Sequence, residues 1–446
     1  MRLTNIAQLR LPPGSVYSYG VPFLARPDRP LPVSFDQRRH VGAGDRPGSW
    51  MAIAFRLDVP VTDASTPAFR ERLAAAWDRV VARHGTLRTV FAPGPAGEVL
   101  LFEAERAGDG AWIDHALDGA VADDAVSRTV RDVFDTYCRP YAGPSHRLCL
   151  VVPDAPASDS RPIVVIGSDH SHVDMWSLVV IARDLAATLA DPDTPLPEAA
   201  AFVDHTRALE AAPSAPDEIR DAWDDAITAG GGLMPRFPLD LGDISQPRPE
   251  VVEVRDVLDA AGMAAFEASA TALGVRVTAL ALATLARISR DRAGVPLRAV
   301  FPVHSRNNPR WHDAVGWFIT NAVIEIDTPT PQAAAAAVRR ALAMGSHPLA
   351  PILEPYGGMP PTRGMFAISW LDLRRLPMAP PAGSAPHWVS AVIRTDGVMI
   401  WFVVDGSGMH LRCRYPDTPE ARASVGGWLD AVEAGIRAGA AVPAGA

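Results

Sequence analysis

The chain has 446 residues, 48% hydrophobic and 21% charged, with a formal net charge of −9; this is the balance of a globular protein, and the length predicts two or three hydrophobic cores rather than one. All 42 basic residues are Arg, for which a GC-rich genome is the simple explanation, and the acidic balance without any block of like charges speaks against a nucleic-acid surface. Cys138, Cys149 and Cys413 fit no metal or redox spacing, residues 1–20 lack a basic start with an apolar run, and no apolar run approaches the roughly 20 residues of a membrane span, so a cytoplasmic protein with neither signal peptide nor transmembrane segment is expected.

In chain order, Ala52-Ile53-Ala54-Phe55-Arg56-Leu57 reads as a short strand. A helix follows, with Thr66 as cap, Pro67 at the first helical position, and Phe69, Leu73, Trp77, Val80 and Val81 along one face. It leads into Arg83-His84-Gly85-Thr86-Leu87-Arg88-Thr89 and a strand through Val90 and Phe91. The β-branched run Pro162 to Gly167 predicts a buried strand, then a polar turn from Ser168 to Asp174 and a helix from Met175 past Leu185. Asp191 to Pro197 breaks that helix, and the charged, Pro-interrupted stretch beyond it predicts a hinge with connecting helices over 191–235.

The second half repeats the pattern. Val251 to Val257 reads as a strand, followed by two helices separated by Gly274, with Thr278 capping the second. Strands are predicted over Leu297 to Val303, within Ala314 to Ile326, and over Trp388 to Ile393, Val398 to Val404 and Met409 to Tyr415. Asp396-Gly397 and Asp405-Gly406 favour antiparallel hairpins between the last three. A final helix covers Thr418 to Ala438, and the Ala/Gly tail is expected to fray. Tight hairpins and the lack of a Gly-rich phosphate loop point away from a parallel nucleotide-binding sheet and toward a two-lobed α/β protein with mixed sheets.

The stretch richest in chemistry is Ser168-Asp169-His170-Ser171-His172-Val173-Asp174-Met175-Trp176-Ser177, between a buried strand and a helix start. His170-x-His172-x-Asp174 has the spacing of alternating metal ligands on an extended segment, but Met175 stands where that motif carries another His. A second reading makes His170 an acyl-transfer base, with Asp174 folding back to fix the turn. A third is structural: a hydrogen-bonded turn His and Asp174 as a helix N-cap. His172 reads as solvent-facing or structural. Arg83 and Arg88 are not assigned to catalysis; surface or sheet-edge solvation is their structural reading.

The same stretch resembles the His-His-x-x-x-Asp-Gly signature of peptide-synthetase condensation domains and their free-standing acyltransferase relatives, with Asp169 in place of the first His and Met175 in place of the Gly. Arg83-His84-x-x-Leu87-Arg88-Thr89, Pro302-Val303-x-x-Arg306 and Gly316-Trp317-Phe318-Ile319-Thr320-Asn321 are similar to further elements of that superfamily. Leu3 to Tyr19, Met234 to Asp243 and Phe366 to Asp372 resemble the polyketide-associated branch that acylates trehalose-type glycolipids. Ser369-Trp370-Leu371-Asp372 stands where other members carry Asp-Phe-Gly-Trp.

The resemblance implies an α/β fold of two chloramphenicol-acetyltransferase-like lobes, each a mixed sheet flanked by helices, with the active site in a tunnel between them. It implies an N-terminal lobe over 1–190 carrying His170 and Asp174, and a C-terminal lobe over 236–446 carrying Arg306. It further implies thioester-dependent acyl transfer to a sugar or polyketide hydroxyl, with His170 as general base, Asp174 and Arg306 as structural support, and Asp169, Met175, Trp176, Trp317, Ser369 and Trp370 lining the substrate channel. No bound cofactor or metal is expected; the donor is acyl-CoA or a phosphopantetheinyl carrier protein, and the partner an acyl carrier protein or polyketide synthase. Amide formation and a catalytically silent docking module are the alternative readings.

Overall fold

The apolar run Ile163-Val164-Val165-Ile166 lies at the centre of a seven-stranded sheet in the computed structural model, which describes residues 2–117, 124–154 and 160–441. The strands of the first half are β1 (Arg2–Asn5), β2 (Gly14–Gly20), β3 (Phe23–Leu31), β4 (Trp50–Arg56), β5 (Thr89–Pro93), β6 (Val99–Arg106), β7 (Ala111–His115), β8 (His146–Pro153) and β9 (Ile163–Asp169). Those of the second half are β10 (Arg248–Asp259), β11 (Leu297–His304), β12 (Ile319–Ile326), β13 (Phe366–Asp372), β14 (His387–Ser390), β15 (Arg394–Thr395), β16 (Val398–Asp405) and β17 (Gly408–Pro416).

They assemble into two seven-stranded mixed sheets, ordered β1-β14-β4-β9-β8-β2-β7 and β12-β11-β13-β16-β17-β10-β15, and a three-stranded sheet, β3-β6-β5. β1 and β14 are parallel, as are β13 and β16, while β9 is antiparallel to both neighbours, β4 and β8. Every residue of β9 is buried, so a β-branched run without alternation suits its central place.

The chain divides into two units. The first comprises Met1–Ala211, Arg306–Phe318 and Pro377–Val392; the second comprises Ala212–Ser305, Ile319–Leu376 and Ile393–Ala446. In the first unit the helix Pro67–Arg83 starts where the Thr66 hydroxyl accepts the Phe69 N–H at 3.2 Å, buries Phe69, Leu73, Trp77, Val80 and Val81, and packs on the helix Met175–Ala190. The second unit carries the helices Ala260–Ala272, Val277–Ala293, Pro331–Met344 and Pro419–Ala441 on its sheet. No single helix among the described residues is long and apolar enough to cross a membrane. The three cysteines are free and buried. The tail beyond Ala441, where fraying is expected, lies outside the described residues.

Several local expectations are corrected. Arg276, not Thr278, precedes the helix Val277–Ala293, and no side chain caps it; Thr278 lies within the first turn. Asp405-Gly406 does turn a hairpin between β16 and β17, but Asp396-Gly397 does not pair the Trp388 strand with the Val398 strand. Instead β14 inserts between β1 and β4, where Trp388 and Val389 are fully buried. Units built from discontinuous segments also differ from lobes cut at 191–235. Arg306, assigned from sequence to the C-terminal lobe, belongs to the first unit because its hydrogen-bond acceptors lie there.

Candidate active site

At the C-terminal end of β9 the chain turns sharply and re-enters the helix Met175–Ala190, whose N-cap is Asp174. One oxygen of the Asp174 carboxylate accepts the Ser177 N–H at 2.7 Å, which closes the first turn. The other accepts the Phe318 N–H at 3.1 Å, and both lie within 3.3 Å of Arg306 Nη2. Arg306 is buried, donates Nη1 to the Trp311 and Ala314 carbonyls at 2.6 and 2.7 Å, and donates Nη2 to Ser177 Oγ at 2.8 Å. Its guanidinium covers the Phe318 ring at 3.8 Å. Burial pushes the Arg306 pKa down, and the Asp174 carboxylate works against that shift. N-cap and ion-pair roles, separate expectations from sequence, are therefore both played by Asp174.

His170 sits inside this turn and keeps some accessible surface. Its Nδ1 lies 2.8 Å from the Val173 carbonyl, which can only accept, so Nδ1 carries the proton and Nε2 carries a lone pair. Burial pushes the His170 pKa below the ordinary 6.5, helped by His40, while the Val173 carbonyl and Asp169 oppose the shift. Trp317 stacks on the imidazole with ring centroids 4.0 Å apart and planes 19° from parallel. The resulting group is a neutral, oriented imidazole with a basic nitrogen, suited to proton abstraction near neutral pH.

The spacing His170-x-His172-x-Asp174 does not assemble a ligand set. His172 is buried, not solvent-facing; its Nδ1 lies 3.0 Å from Ser171 Oγ and its ring meets the Phe91 ring edge-on at 5.2 Å. Asp174 turns to Arg306. Among the described residues no group of three His, Cys, Asp or Glu side chains is placed to hold a metal ion.

Residues expected along a channel divide. Trp317 stacks on His170. Trp176 donates its indole N–H to the His312 carbonyl at 2.9 Å and lies against Arg306, and the Met175 carbonyl accepts the Trp388 indole at 3.1 Å, so both are tied into the motif's scaffold. Asp169 has no exposed side-chain surface and lines nothing. Ser369 and Trp370 are successive, half-buried residues of β13 in the second unit and face opposite sides of its sheet.

Arg83-His84 proves structural, and Arg83 is not a surface residue. Both side chains reach the buried Asp184 carboxylate on the neighbouring helix, His84 Nε2 at 2.8 Å, and Arg83 also donates to the Pro197 carbonyl at 2.6 Å. Arg88 is exposed.

Four polar residues of this neighbourhood, Gln37, His40, Arg46 and Ser49, carry no mark in the sequence motif. His40, at the end of the helix Phe35–Val41, places Nε2 3.3 Å from the Asp169 carboxylate and its ring 5.2 Å from Trp317. The signal for that helix was present: Ser34-Phe35-Asp36-Gln37 is a capping box, and both of its reciprocal hydrogen bonds form.

Comparison with solved structures places this geometry in a known fold. The PapA2 acyl transferase superposes with a TM-score of 0.80 at 19% identity, covering 99% of this chain and 100% of that one. The first condensation domain of the CDA synthetase gives a TM-score of 0.70 at 14% identity over 93% of this chain and 97% of that one. No family model matches the chain. By sequence it is 26% identical over 295 residues to the acyltransferase PapA3 of Mycobacterium tuberculosis, covering 58% of this chain and 60% of that protein.

The chain is similar in sequence and in fold to the PapA acyltransferases. It is also 26% identical over 264 residues to the trehalose-2-sulfate acyltransferase PapA2 of Mycobacterium tuberculosis, over 54% of this chain and 55% of that protein. A probable non-canonical nonribosomal peptide synthetase of Salinispora arenicola, CymA, is 30% identical over 327 residues, 67% of this chain and 4% of that protein. The chain thus spans less than two thirds of the length of these curated relatives. Set beside the condensation signature, Asp169 and Met175 are the two departures. Asp169 is absorbed by a shell of donors, and Met175 begins the helix that Asp174 caps.

Proposed function

We propose that the chain transfers an acyl group from a thioester to the hydroxyl of a sugar or polyketide alcohol, with His170 Nε2 as the general base. The observation that carries this reading is the bond from His170 Nδ1–H to the Val173 carbonyl, which commits the imidazole to the tautomer with a bare Nε2. Kinship with PapA2 and PapA3, both named acyltransferases, supports the reaction class, and the trehalose-2-sulfate in the PapA2 name supports a sugar acceptor.

The thioester carbonyl is already activated, so the protein's part is to position and to move one proton. The acceptor hydroxyl gives its proton to Nε2 as its oxygen bonds to the carbonyl carbon. The tetrahedral intermediate then expels the sulfur, which leaves as a thiol with the proton that His170 returns. One C–O bond forms, one C–S bond breaks, and no covalent acyl-enzyme is needed. Asp174 and Arg306 hold the turn and take no proton: the carboxylate is engaged by Ser177, Phe318 and Arg306. The donor is acyl-CoA or an acyl carrier protein, and a polyketide or peptide synthase is the partner that a carrier donor brings with it. Both donors are cytoplasmic compounds, the compartment proposed for the chain.

Similarity to CymA supports a second reading, in which the acceptor is an amine and the product an amide. The purified protein, offered a set of acyl-CoA thioesters with trehalose and with amino-acid amides, separates the two by product mass. Ester formation that falls about 10²–10⁴-fold in His170→Ala, with the fold retained, is the expected result. Amide as the sole product overturns the choice of acceptor, and turnover unchanged in His170→Ala overturns the base.

A further inference from the structure

Asp169 stands where the condensation signature has its first His, and its surroundings explain how an acid is tolerated there. Four donors converge on the buried carboxylate. Ser49 Oγ reaches one oxygen at 2.5 Å, and Ser171 N and Oγ reach the other at 2.9 and 2.5 Å. His40 Nε2 lies 3.3 and 3.4 Å from the two oxygens. Burial alone would raise the Asp169 pKa, but the bonds from His40, Ser171 and Ser49 outweigh it and hold the group at about 2. The acid next to His170 is therefore a fixed anion.

His40 is fully committed. Arg46 Nη2 donates to its Nδ1 at 3.3 Å, so the tautomer that satisfies both contacts carries the proton on Nε2, pointed at Asp169. Both ring nitrogens of His40 are thus taken up by neighbouring side chains. The Arg46 guanidinium is itself fixed by Nη1 bonds to the Gly44 and His40 carbonyls at 2.9 and 3.0 Å. Gln37, one turn earlier on the same short helix, donates Nε2 to the Ser171 carbonyl at 2.9 Å. The helix Phe35–Val41 thus grips the His170 turn at two points, Ser171 and Asp169. A third contact reaches the imidazole through the ring cluster: the rings of His40 and Trp317 meet edge-on at 5.2 Å and 67°, Trp317 stacks on His170 at 4.0 Å, and the two imidazole centroids lie 6.1 Å apart.

We propose that His40 is a positioning residue for His170: through Asp169 it fixes the backbone on which His170 sits, and through Trp317 it fixes the plane of the catalytic ring. The proposal rests on the reading of His170 as the base, and its test is made on the resting protein so that the two can fail separately.

The test is nitrogen NMR of ¹⁵N-histidine-labelled full-length protein at about pH 8, where an ordinary imidazole is neutral, with the His170 signals assigned by their loss in His170→Gln. In the wild type the Nδ1 signal is that of a protonated nitrogen and the Nε2 signal that of a bare one. In His40→Ala and Trp317→Leu both signals move toward the average of two exchanging tautomers. Trp317→Phe, which keeps a stacking face, and His40→Gln, which keeps a donor to Asp169, retain more of the wild-type pattern and serve where the harsher variants do not fold. Where transfer activity is measured, kcat falls about 10–100-fold in His40→Ala with KM for both substrates nearly unchanged, the mark of a misplaced base. His170 signals that stay at their wild-type positions in folded His40→Ala and Trp317→Leu overturn the proposal. A wild type that forms no acylated product overturns the function and leaves the NMR result standing.

Discussion

At the scale of single residues, the energetics of the site centre on Asp174 and Arg306. Both are buried, each is the other's counter-ion, and Arg306 Nη1 reaches the Trp311 and Ala314 carbonyls. Removal of one partner leaves a buried charge without compensation, which costs about 3–5 kcal/mol. Arg306→Met is expected to lower stability by that order in chemical denaturation. Adding Asp174→Asn restores part of it, because the stranded anion disappears. This pair was legible in the sequence through its spacing to known motifs, and so were His170 and its loop. The enclosure of Asp169 was not: two of its four bonds come from Ser171, two residues on, but the others come from Ser49 and His40, 120 and 129 residues upstream. A contact of that range leaves no trace in local periodicity. For the same reason Trp176, a channel residue on sequence alone, turns out to shield Arg306 and to bond the His312 carbonyl.

At the scale of elements, local chemistry predicted most boundaries and failed where tertiary pairing decides. Thr66 and Pro67 start their helix as read, and β9 and the helix after Asp174 follow from β-branched density and a cap. Asp396-Gly397 misled because a turn dipeptide says that the chain bends but not which strand it pairs with next. Two elements near the site offer direct tests. Ser34→Ala removes the acceptor of the Gln37 N–H from the capping box and is expected to cost about 0.5–2 kcal/mol in thermal or denaturant unfolding. Gly316 packs its backbone against Phe202 so closely that an added Cβ would lie 2.3 Å from the ring. Its amide receives no slack either, being bonded to Ser177 Oγ at 3.1 Å. Gly316→Ala is therefore expected to destabilise by about 1–3 kcal/mol, as overpacked cores do, with Gly85→Ala, in open space, as the neutral control.

At the scale of the whole molecule, the fold class was legible from alternating helices and strands with tight hairpins, whereas the true partition was not. Segments 306–318 and 377–392 return to the first unit after long excursions; the Pro- and Ala-rich start of the second, Pro377 to Pro386, marks a connection but not the unit that it joins. The same unit buries His84, His146 and His172, each held below the ordinary imidazole range by burial, His146 to about 3. The unfolded chain takes up protons near pH 6.5 while these folded imidazoles stay neutral, so the folded state loses stability as pH falls below 6.5 and regains it above. Each contributes up to about 1.4 kcal/mol per pH unit, and the melting temperature should begin to fall near pH 6.5, well before the carboxylates titrate; a midpoint flat from about pH 7 to 5 contradicts the buried neutral state. The central claim, that His170 is the base, is tested most directly by the pH profile of kcat/KM for acyl transfer. The account predicts an acid limb whose midpoint lies below 6.5, the ordinary value from which burial depresses this imidazole, and a residual rate in His170→Ala that has lost the limb. An acid limb that survives unchanged in His170→Ala would assign the proton acceptor to another group.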